Sequence, residues 1–185
     1  MSQKRISEYF GFTGDKTELL NQLYMKIQRC SRCEISRLEV NKYKPWIKFG
    51  SVPILVVSQN PSIYRKGRYV QGGLDKLENR IIPELRERFR QALNAVYITN
   101  IVKCSTPNNR GPTVEEVKRC LPWLRQEVEI IRPKVLIALG SIARRHVPDF
   151  NVKKIEFPHP IAAIRRGEAD SYALNFIEVV EPWVK

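Results

Sequence analysis

The sequence contains no long hydrophobic run. None of its 185 residues lies in an apolar stretch approaching the roughly 18 residues that a transmembrane helix needs. Its first residues, Met1 to Arg5, open no apolar segment of the kind that a secretory signal requires. Internal repeats and low-complexity tracts are also lacking. We therefore expect an intracellular, cytoplasmic protein with no membrane partner, and a length that suits one domain.

Acidic residues are scarce relative to basic ones. The chain carries 19 Asp and Glu against 32 Lys and Arg, for a net charge of +13. Such a surface attracts polyanions, although it says nothing about the fold. Nucleic acid is the commonest partner of this kind. A membrane surface, or no polyanionic partner at all, stays open on charge alone.

Four short apolar runs predict β-strands. They are nearly continuous and rich in β-branched residues, as expected for a parallel sheet covered on both faces. They occupy residues 54–57, 96–102, 135–139 and, more weakly, 152–157.

Helical patterns alternate with these runs. They span about residues 15–28, 77–94, 113–131, a short stretch after Gly140, and 171–180. Thr113 and Glu116 form a capping box, and we expect Pro122 to kink or break the helix that they open. The alternation predicts an α/β, doubly wound, three-layer fold around a four-stranded, mainly parallel sheet. We expect it to form one monomeric domain over residues 15–185.

Sites in such sheets lie outside the carboxyl ends of the strands. Three segments leave those ends, at residues 58–62, 103–107 and 157–160.

The four cysteines form two pairs, Cys30-x2-Cys33 and Cys104-x15-Cys120. Four sulfurs can hold a tetrahedral zinc ion or a [4Fe–4S] cluster. A spacing of fifteen is unusual for zinc. Four unrelated buried thiols, or the disulfides of a thermophile, remain alternatives on spacing alone.

Six motifs follow one another over about residues 27–180. They are Cys30-Ser31-Arg32-Cys33, Thr99-Asn100-Ile101-Val102-Lys103-Cys104, Pro107-Asn108-Asn109-Arg110, Cys120-Leu121-Pro122-Trp123-Leu124, the segment from Pro133 to Gly140, and His159-Pro160. This ordered set closely resembles the iron–sulfur (family 4-like) branch of the uracil-DNA glycosylase superfamily. The resemblance implies a [4Fe–4S] cluster on Cys30, Cys33, Cys104 and Cys120. The cluster would tie the N-terminal helix and the 104–120 loop to the sheet.

The family's first motif falls on residues 58–62 and is divergent here. It usually reads Gly-Glu-Ala-Pro-Gly, whereas this chain has Ser58-Gln59-Asn60-Pro61-Ser62. The resemblance implies that Asn60 positions the attacking water and that Gln59, with Ser58, contacts the base. An amide orients water but cannot take its proton, so catalysis would rest on stabilising the leaving anion. Without the resemblance, Asn60-Pro61 would be read as a turn.

Two further residues match family positions that touch the flipped base. Asn100 matches the asparagine that hydrogen-bonds it, and His159 matches the histidine that donates to its oxygen as charge develops. From the residues alone, Asn100 would be a strand-ending turn residue and His159 a loop residue packed on prolines.

The segment after His159 matches the family loop that wedges into the minor groove. Ile161 would unstack the DNA, and Arg165 and Arg166 would meet phosphates. A solvated basic pair is the alternative. We also expect Lys103 and Arg110 to grip phosphates.

The aromatic floor under the base is the least defined part of the resemblance. Tyr69 is the candidate, with Tyr64 second.

Residues 1–14 form a tail that resembles a sliding-clamp peptide. Gln3, Ile6, Tyr9 and Phe10 have the spacing of the motif that docks DNA enzymes on PCNA-type clamps, and one helical turn would group the three apolar side chains. The alternative is a segment folded on its own domain. A clamp peptide together with the iron–sulfur branch points to an archaeal, nucleoid-associated enzyme.

The resemblance predicts a monofunctional DNA glycosylase that removes uracil or another deaminated base, starting base excision repair. The first-motif Glu is replaced, which favours an alternative: a catalytically weak damaged-DNA-binding module recruited by the clamp. A zinc-dependent nucleic-acid-binding domain is a third hypothesis.

Overall fold

The computed structural model describes residues 15–38, 48–62 and 73–184. Its strands are β1 (Ile54–Ser58), β2 (Tyr97–Asn100), β3 (Val135–Leu139) and β4 (Lys153–Phe157). Its α-helices are α1 (Lys16–Gln28), α2 (Leu74–Glu78), α3 (Pro83–Ala95), α4 (Val114–Ile131), α5 (Gly140–His146), α6 (Pro160–Arg166) and α7 (Ala169–Val180). No described helix combines the length and apolarity needed to cross a bilayer.

The four strands form one parallel sheet in the order β2-β1-β3-β4. Alternate residues of each strand face opposite sides, and both sides are covered. Ile54 and Val56 of β1 pack in a core with α2, α3, α6 and α7. Leu55 and Val57 pack in a second core with α1, α4 and α5. The predicted three-layer, doubly wound α/β fold is therefore confirmed.

The strand order places a crevice at one point of the sheet. The chain leaves β1 toward β2 on one side and leaves β3 toward β4 on the other. Such a switch point, at the carboxyl ends of β1 and β3, is where doubly wound proteins bind ligands.

Local signals explain most of the helix boundaries. The Asp15 side chain accepts the Glu18 N–H at 2.9 Å and begins α1. Thr113 and Glu116 make the predicted capping box of α4. The single helix predicted over residues 77–94 is wrong, because the chain forms α2 and α3 instead. Ile82 is extended (ψ 150°), as steric contact with a following proline requires, and Pro83 begins α3.

Two other expectations differ from the structure. The helix α4 runs without a break through Pro122. Its buried face, including Val117, Leu124 and Ile131, holds it on the sheet and outweighs the lost hydrogen bond. Residues 160–166 form the helix α6 and not a loop, with Pro160 at its first position and Gly167 at its end.

Candidate active site

The carboxyl edge of the sheet brings the predicted site segments together. Asn100 ends β2 and pairs with Ser58, which ends β1. The pairing continues past both strands, because the carbonyls of Ser58 and Gln59 accept the N–H groups of Ile101 (2.8 Å) and Val102 (2.9 Å). The first motif and the base-reading candidate are thus fixed to each other by backbone hydrogen bonds.

Asn60 has one half of its amide engaged and the other half orphaned. Its Nδ2 donates to the Pro61 carbonyl (3.1 Å) and to the Thr106 hydroxyl (3.3 Å). Its Oδ1 is buried and accepts no hydrogen bond from any described residue. A buried carbonyl oxygen without a donor is costly, so it calls for a water or ligand N–H. The Asn60 amide is therefore held through its Nδ2, and its Oδ1 is left as an unsatisfied acceptor.

His159 caps the N-terminus of α6 and lies between two glycines. Its Nδ1 accepts the Ile161 N–H at 3.3 Å, so the neutral ring carries its proton on Nε2. A Cβ on Gly73 would lie 3.0 Å from the His159 Cε1, and a Cβ on Gly140 would lie 3.1 Å from its Cβ. Burial lowers the pKa of His159 below its usual value of 6.5. The ring is therefore a neutral, tightly held donor at pH 7.

Tyr172 supports the turn before this histidine. Its hydroxyl donates to the Pro158 carbonyl at 3.1 Å. Its ring packs edge-on against Phe157, with centroids 5.6 Å apart. Tyr172 therefore fixes the exit from β4 on the α7 side.

Asn100 itself is 3% exposed. Its carbonyl accepts the Lys103 Nζ at 2.5 Å. The same Nζ donates to the Thr99 hydroxyl (2.8 Å) and to Glu127 Oε2 (2.6 Å), and the Thr99 hydroxyl donates to Glu127 Oε1 (2.9 Å). Burial raises the pKa of Glu127, and the Lys103 charge opposes that shift.

This network overturns the prediction that Lys103 grips phosphate. Lys103 is 3% exposed and all three of its N–H donors are engaged, so it is wrong to place it on the DNA surface. The signal that was missed is Glu127. It lies between Leu124 and Val128 on the buried face of α4, where a carboxylate needs a buried cation. Arg110 is half-exposed and makes an ion pair with Glu116.

The cysteine pairs meet on the other side of the sheet, beside α1 and α4. Cys30, Cys33, Cys104 and Cys120 all belong to one apolar cluster, the first two half-buried and the last two buried. None forms a disulfide. Burial raises the pKa of the Cys120 thiol to about 11, and neighbouring Cys30 and Cys33 add to the shift, whereas the Lys103 N–H at 3.4 Å opposes it.

The Cys30–Cys33 turn is fastened to α4. The guanidinium of Arg32 lies 4.2 Å from the ring centroid of Trp123, and Arg119 donates to the Arg32 carbonyl at 2.8 Å. As the side chains stand, no three His, Cys, Asp or Glu groups in the described segments have the arrangement that holds a metal ion.

With this geometry in place, comparison with known proteins identifies the family. The model of the uracil DNA glycosylase superfamily matches residues 46–181. The chain belongs to the uracil DNA glycosylase superfamily.

Curated relatives agree with this assignment. A type-4 uracil-DNA glycosylase of Archaeoglobus fulgidus is 33% identical over 142 residues, 76% of this chain and 68% of the relative. A type-4 uracil-DNA glycosylase of Pyrobaculum aerophilum is 32% identical over 141 residues, 74% of this chain and 68% of the relative. A type-5 uracil-DNA glycosylase of the same organism is 53% identical over a shorter segment of 55 residues, 30% of this chain and 24% of the relative.

The segment predicted to wedge into the minor groove has a different structure from the expected loop. Ile161 and Ala162 are half-buried on the first turn of α6, and Ala163 is buried in the core, so the segment is not a free loop. Arg165 is exposed, whereas Arg166 makes an ion pair with Glu168 at 2.6 Å.

Several predicted residues fall outside the described part of the chain. They are the aromatic candidates Tyr69 and Tyr64 and the clamp-peptide residues Gln3, Ile6, Tyr9 and Phe10.

Proposed function

We propose that the protein is a monofunctional uracil-DNA glycosylase, which hydrolyses the bond between uracil and deoxyribose and so starts base excision repair. The observation that carries the proposal is a pair of groups that follow β1 and β4 at the carboxyl edge of the sheet. These are the orphaned Oδ1 of Asn60 and the neutral His159, whose Nε2–H is left to donate. One group can hold the incoming water, and the other can face the departing base. The superfamily assignment and the type-4 relatives support the same activity.

In this reaction the protein acts mainly by positioning hydrogen-bonding groups around the base and the water. The base must first leave the duplex stack. The glycosidic bond then breaks with its electron pair passing to the uracil ring, and the sugar gains oxocarbenium character. His159 Nε2–H stabilises the negative charge on the base oxygen, which is the kind of interaction that strengthens in the transition state. Because His159 is neutral, it assists by hydrogen bonding and keeps its proton.

Water completes the reaction at the anomeric carbon. Asn60 Oδ1 accepts one of its hydrogen bonds and holds it in place, while the proton released on attack passes to solvent. The family's usual Glu is Gln59 here, so no side chain of the first motif takes that proton. The buried amine of Lys103 has three partners and offers no nucleophile for a lyase step.

We further propose that Asn100 reads the base and that Ser58 and Gln59 line its pocket. The position of Asn100 at the end of β2, with its carbonyl bonded to Lys103, supports this role. Tyr69 is the proposed stacking partner, and Arg165 is proposed to meet a phosphate. For Ile161 we propose contact with the minor groove from the helix α6.

The experiment is single-turnover kinetics on a duplex oligonucleotide with one uracil. Asn60→Ala and His159→Ala should each slow release by about 100-fold or more, as loss of one transition-state hydrogen bond does. Asn79→Ala is the matched control, since the exposed Asn79 Nδ2 donates to the Asp75 carbonyl of its own helix. Equal rates for Asn60→Ala and Asn79→Ala would contradict the water-holding role. Tight binding of damaged DNA without base release would select the binding-module alternative.

We propose that Cys30, Cys33, Cys104 and Cys120 hold a [4Fe–4S] cluster. Four thiols without disulfides in one apolar cluster, with the Lys103 N–H already directed at the Cys120 sulfur, are a fitting donor set. Side-chain rotation would have to bring the sulfurs together around the metal. When bound, the cluster would serve as a structural link among α1, the 104–120 segment and α4.

Purification without oxygen tests the cluster. Iron and sulfide analysis should give about four of each per chain, and the protein should absorb at about 400 nm. Cys104→Ala should lose both. A colourless protein that contains zinc would contradict the proposal.

We also propose that residues 1–14 bind a PCNA-type sliding clamp through Gln3, Ile6, Tyr9 and Phe10. The spacing of these residues supports it. A synthetic peptide of residues 1–14 should bind purified clamp, and the peptide with Tyr9→Ala and Phe10→Ala should not. Equal binding by both peptides would refute it.

A further inference from the structure

The buried lysine Lys103, which follows β2, contacts both of the proposed centres of the protein. The side chain of Lys103 bonds the carbonyl of Asn100, and its backbone N–H bonds the sulfur of Cys120. Lys103 therefore contacts the residue proposed to read the base and one of the residues proposed to hold the cluster.

Lys103 forms a buried ion pair with Glu127. Burying such a pair costs free energy unless every donor and acceptor is satisfied. In this pair every donor and acceptor has a partner. The ammonium has three acceptors, in Thr99, Asn100 and Glu127, and each Glu127 oxygen has a donor. Lys103 and Glu127 are 3% and 2% exposed. A pair of apolar residues would fill the same space at less cost in desolvation, so stability alone does not account for it.

The ion pair also restrains the backbone next to Asn100. The peptide plane between Asn100 and Ile101 is held from two directions. The Asn100 carbonyl accepts the lysine, and the Ile101 N–H donates to Ser58. Because these two hydrogen bonds hold the peptide plane that follows Asn100, they fix the ψ angle of Asn100 and with it the direction in which its side chain leaves the end of β2.

We propose that Lys103, held by Glu127, is a positioning residue for uracil recognition by Asn100. Lys103 fixes the orientation of the Asn100 backbone and joins it to α4, on which Cys120 lies. This inference rests on the proposed function, because the role of Asn100 toward uracil does.

The test uses the double variant Lys103→Met/Glu127→Gln. It removes both charges, while the amide oxygen introduced by Glu127→Gln still offers the Thr99 hydroxyl an acceptor. We expect uracil release by saturating enzyme to slow by about 10- to 100-fold, as a misplaced contact of about 1 Å does. Lys154→Met is the control. Lys154 pairs with Glu156 on the half-exposed strand β4, and its loss should leave the rate unchanged.

A double-mutant cycle separates positioning from simple destabilisation. Asn100→Ala should slow the native protein strongly but slow the double variant by less than about 3-fold, because the orientation of Asn100 is already lost there. His159→Ala should slow both backgrounds by the same factor. If Asn100→Ala has an equal effect in both backgrounds, or if the double variant releases uracil at the native rate, the inference is overturned.

Hydrogen exchange tests the same inference by a measurement that does not depend on enzyme activity. The amides of Ile101 and Val102 should exchange at least about 10-fold faster in the double variant, while the Ile98 amide, bonded to Lys48, keeps its rate. Unchanged exchange at Ile101 would refute the positioning role even if the native protein released no uracil. A native protein without uracil release, but with the predicted exchange, would contradict the proposed function alone.

Discussion

The two glycines around His159 allow catalysis and stability to be separated. Gly140 combines two constraints: its φ is +81°, and an added Cβ would lie 3.1 Å from the Cβ and 3.4 Å from the Cδ2 of His159. Gly73 has the close contact without the strain: an added Cβ would lie 3.0 Å from His159 Cε1 and 3.4 Å from Pro160 Cγ, at an ordinary φ of −88°. Gly167 has only the strain, with φ +72° and nothing within 4 Å of an added Cβ. Alanine at these three positions therefore forms a matched set.

The expected magnitudes follow from these constraints. A non-glycine residue in the left-handed region costs about 1–2 kcal/mol. In a domain of this size that lowers Tm by about 2–4 °C per kcal/mol. Gly140→Ala and Gly167→Ala should both lose stability by this amount. A contact of 3.0 to 3.1 Å must relax by a few tenths of an ångström, and His159 is the neighbour that moves. If 1 Å costs about 100-fold in rate, such a shift costs about 3- to 10-fold.

The assay is uracil release under single-turnover conditions, paired with thermal unfolding of each variant. Gly140→Ala should lose both rate and stability, Gly73→Ala mainly rate, and Gly167→Ala stability alone. A Gly73→Ala variant with the native rate, or a Gly167→Ala variant as slow as Gly140→Ala, would refute the reasoning that His159 acts from this position.

Three more predictions concern the same edge of the sheet. Burial lowers the pKa of His159 in the folded protein below 6.5. Just below pH 6.5 the unfolded chain therefore binds more protons than the folded protein does. The stability that is present above pH 6.5 is lost as the pH falls through the folded pKa. The drop in Tm from about pH 7.5 to about pH 5 should be smaller in His159→Gln, and an identical drop would contradict the assignment. Tyr172→Phe removes the hydrogen bond to Pro158 and should cost about 1 kcal/mol in unfolding free energy; an unchanged Tm would show that the bond is not made in solution. Arg165→Ala should reduce the slope of log affinity for DNA against log salt by about 0.9, and Arg166→Ala by less because of its ion pair; equal slopes in the native protein and Arg165→Ala would remove Arg165 from the DNA surface.

Strands β1, β2 and β3 were predictable because they are buried on both faces, so runs such as 135–139 stand out as continuous apolar segments. Strand β4 is largely exposed, and its apolar signal in the sequence was correspondingly weaker. The interruption between α2 and α3 also had a signal, in the extended conformation that Pro83 imposes on Ile82, but the apolar period of Ile81 and Leu85 masked it. The helix α6 had a proline at its start and a glycine at its end. These two helix signals were given less weight than the resemblance of the segment to a wedge loop, so a loop was expected.

The site was less predictable because its chemistry depends on contacts between distant segments. Lys103 looked like a surface cation beside a cysteine, since nothing local reveals a carboxylate 24 positions further along the chain. The same holds for the glycines around His159. Gly73 and Gly140 follow no local motif for a histidine, and only the fold brings them to it.

The most direct test of the central claim is alkaline cleavage of a duplex oligonucleotide that contains a single uracil. The native protein should release free uracil and leave an abasic site, so the strand breaks at that position after alkali and stays intact without it. An intact strand after alkali would contradict the proposed glycosylase activity. A break before alkali would contradict the monofunctional mechanism.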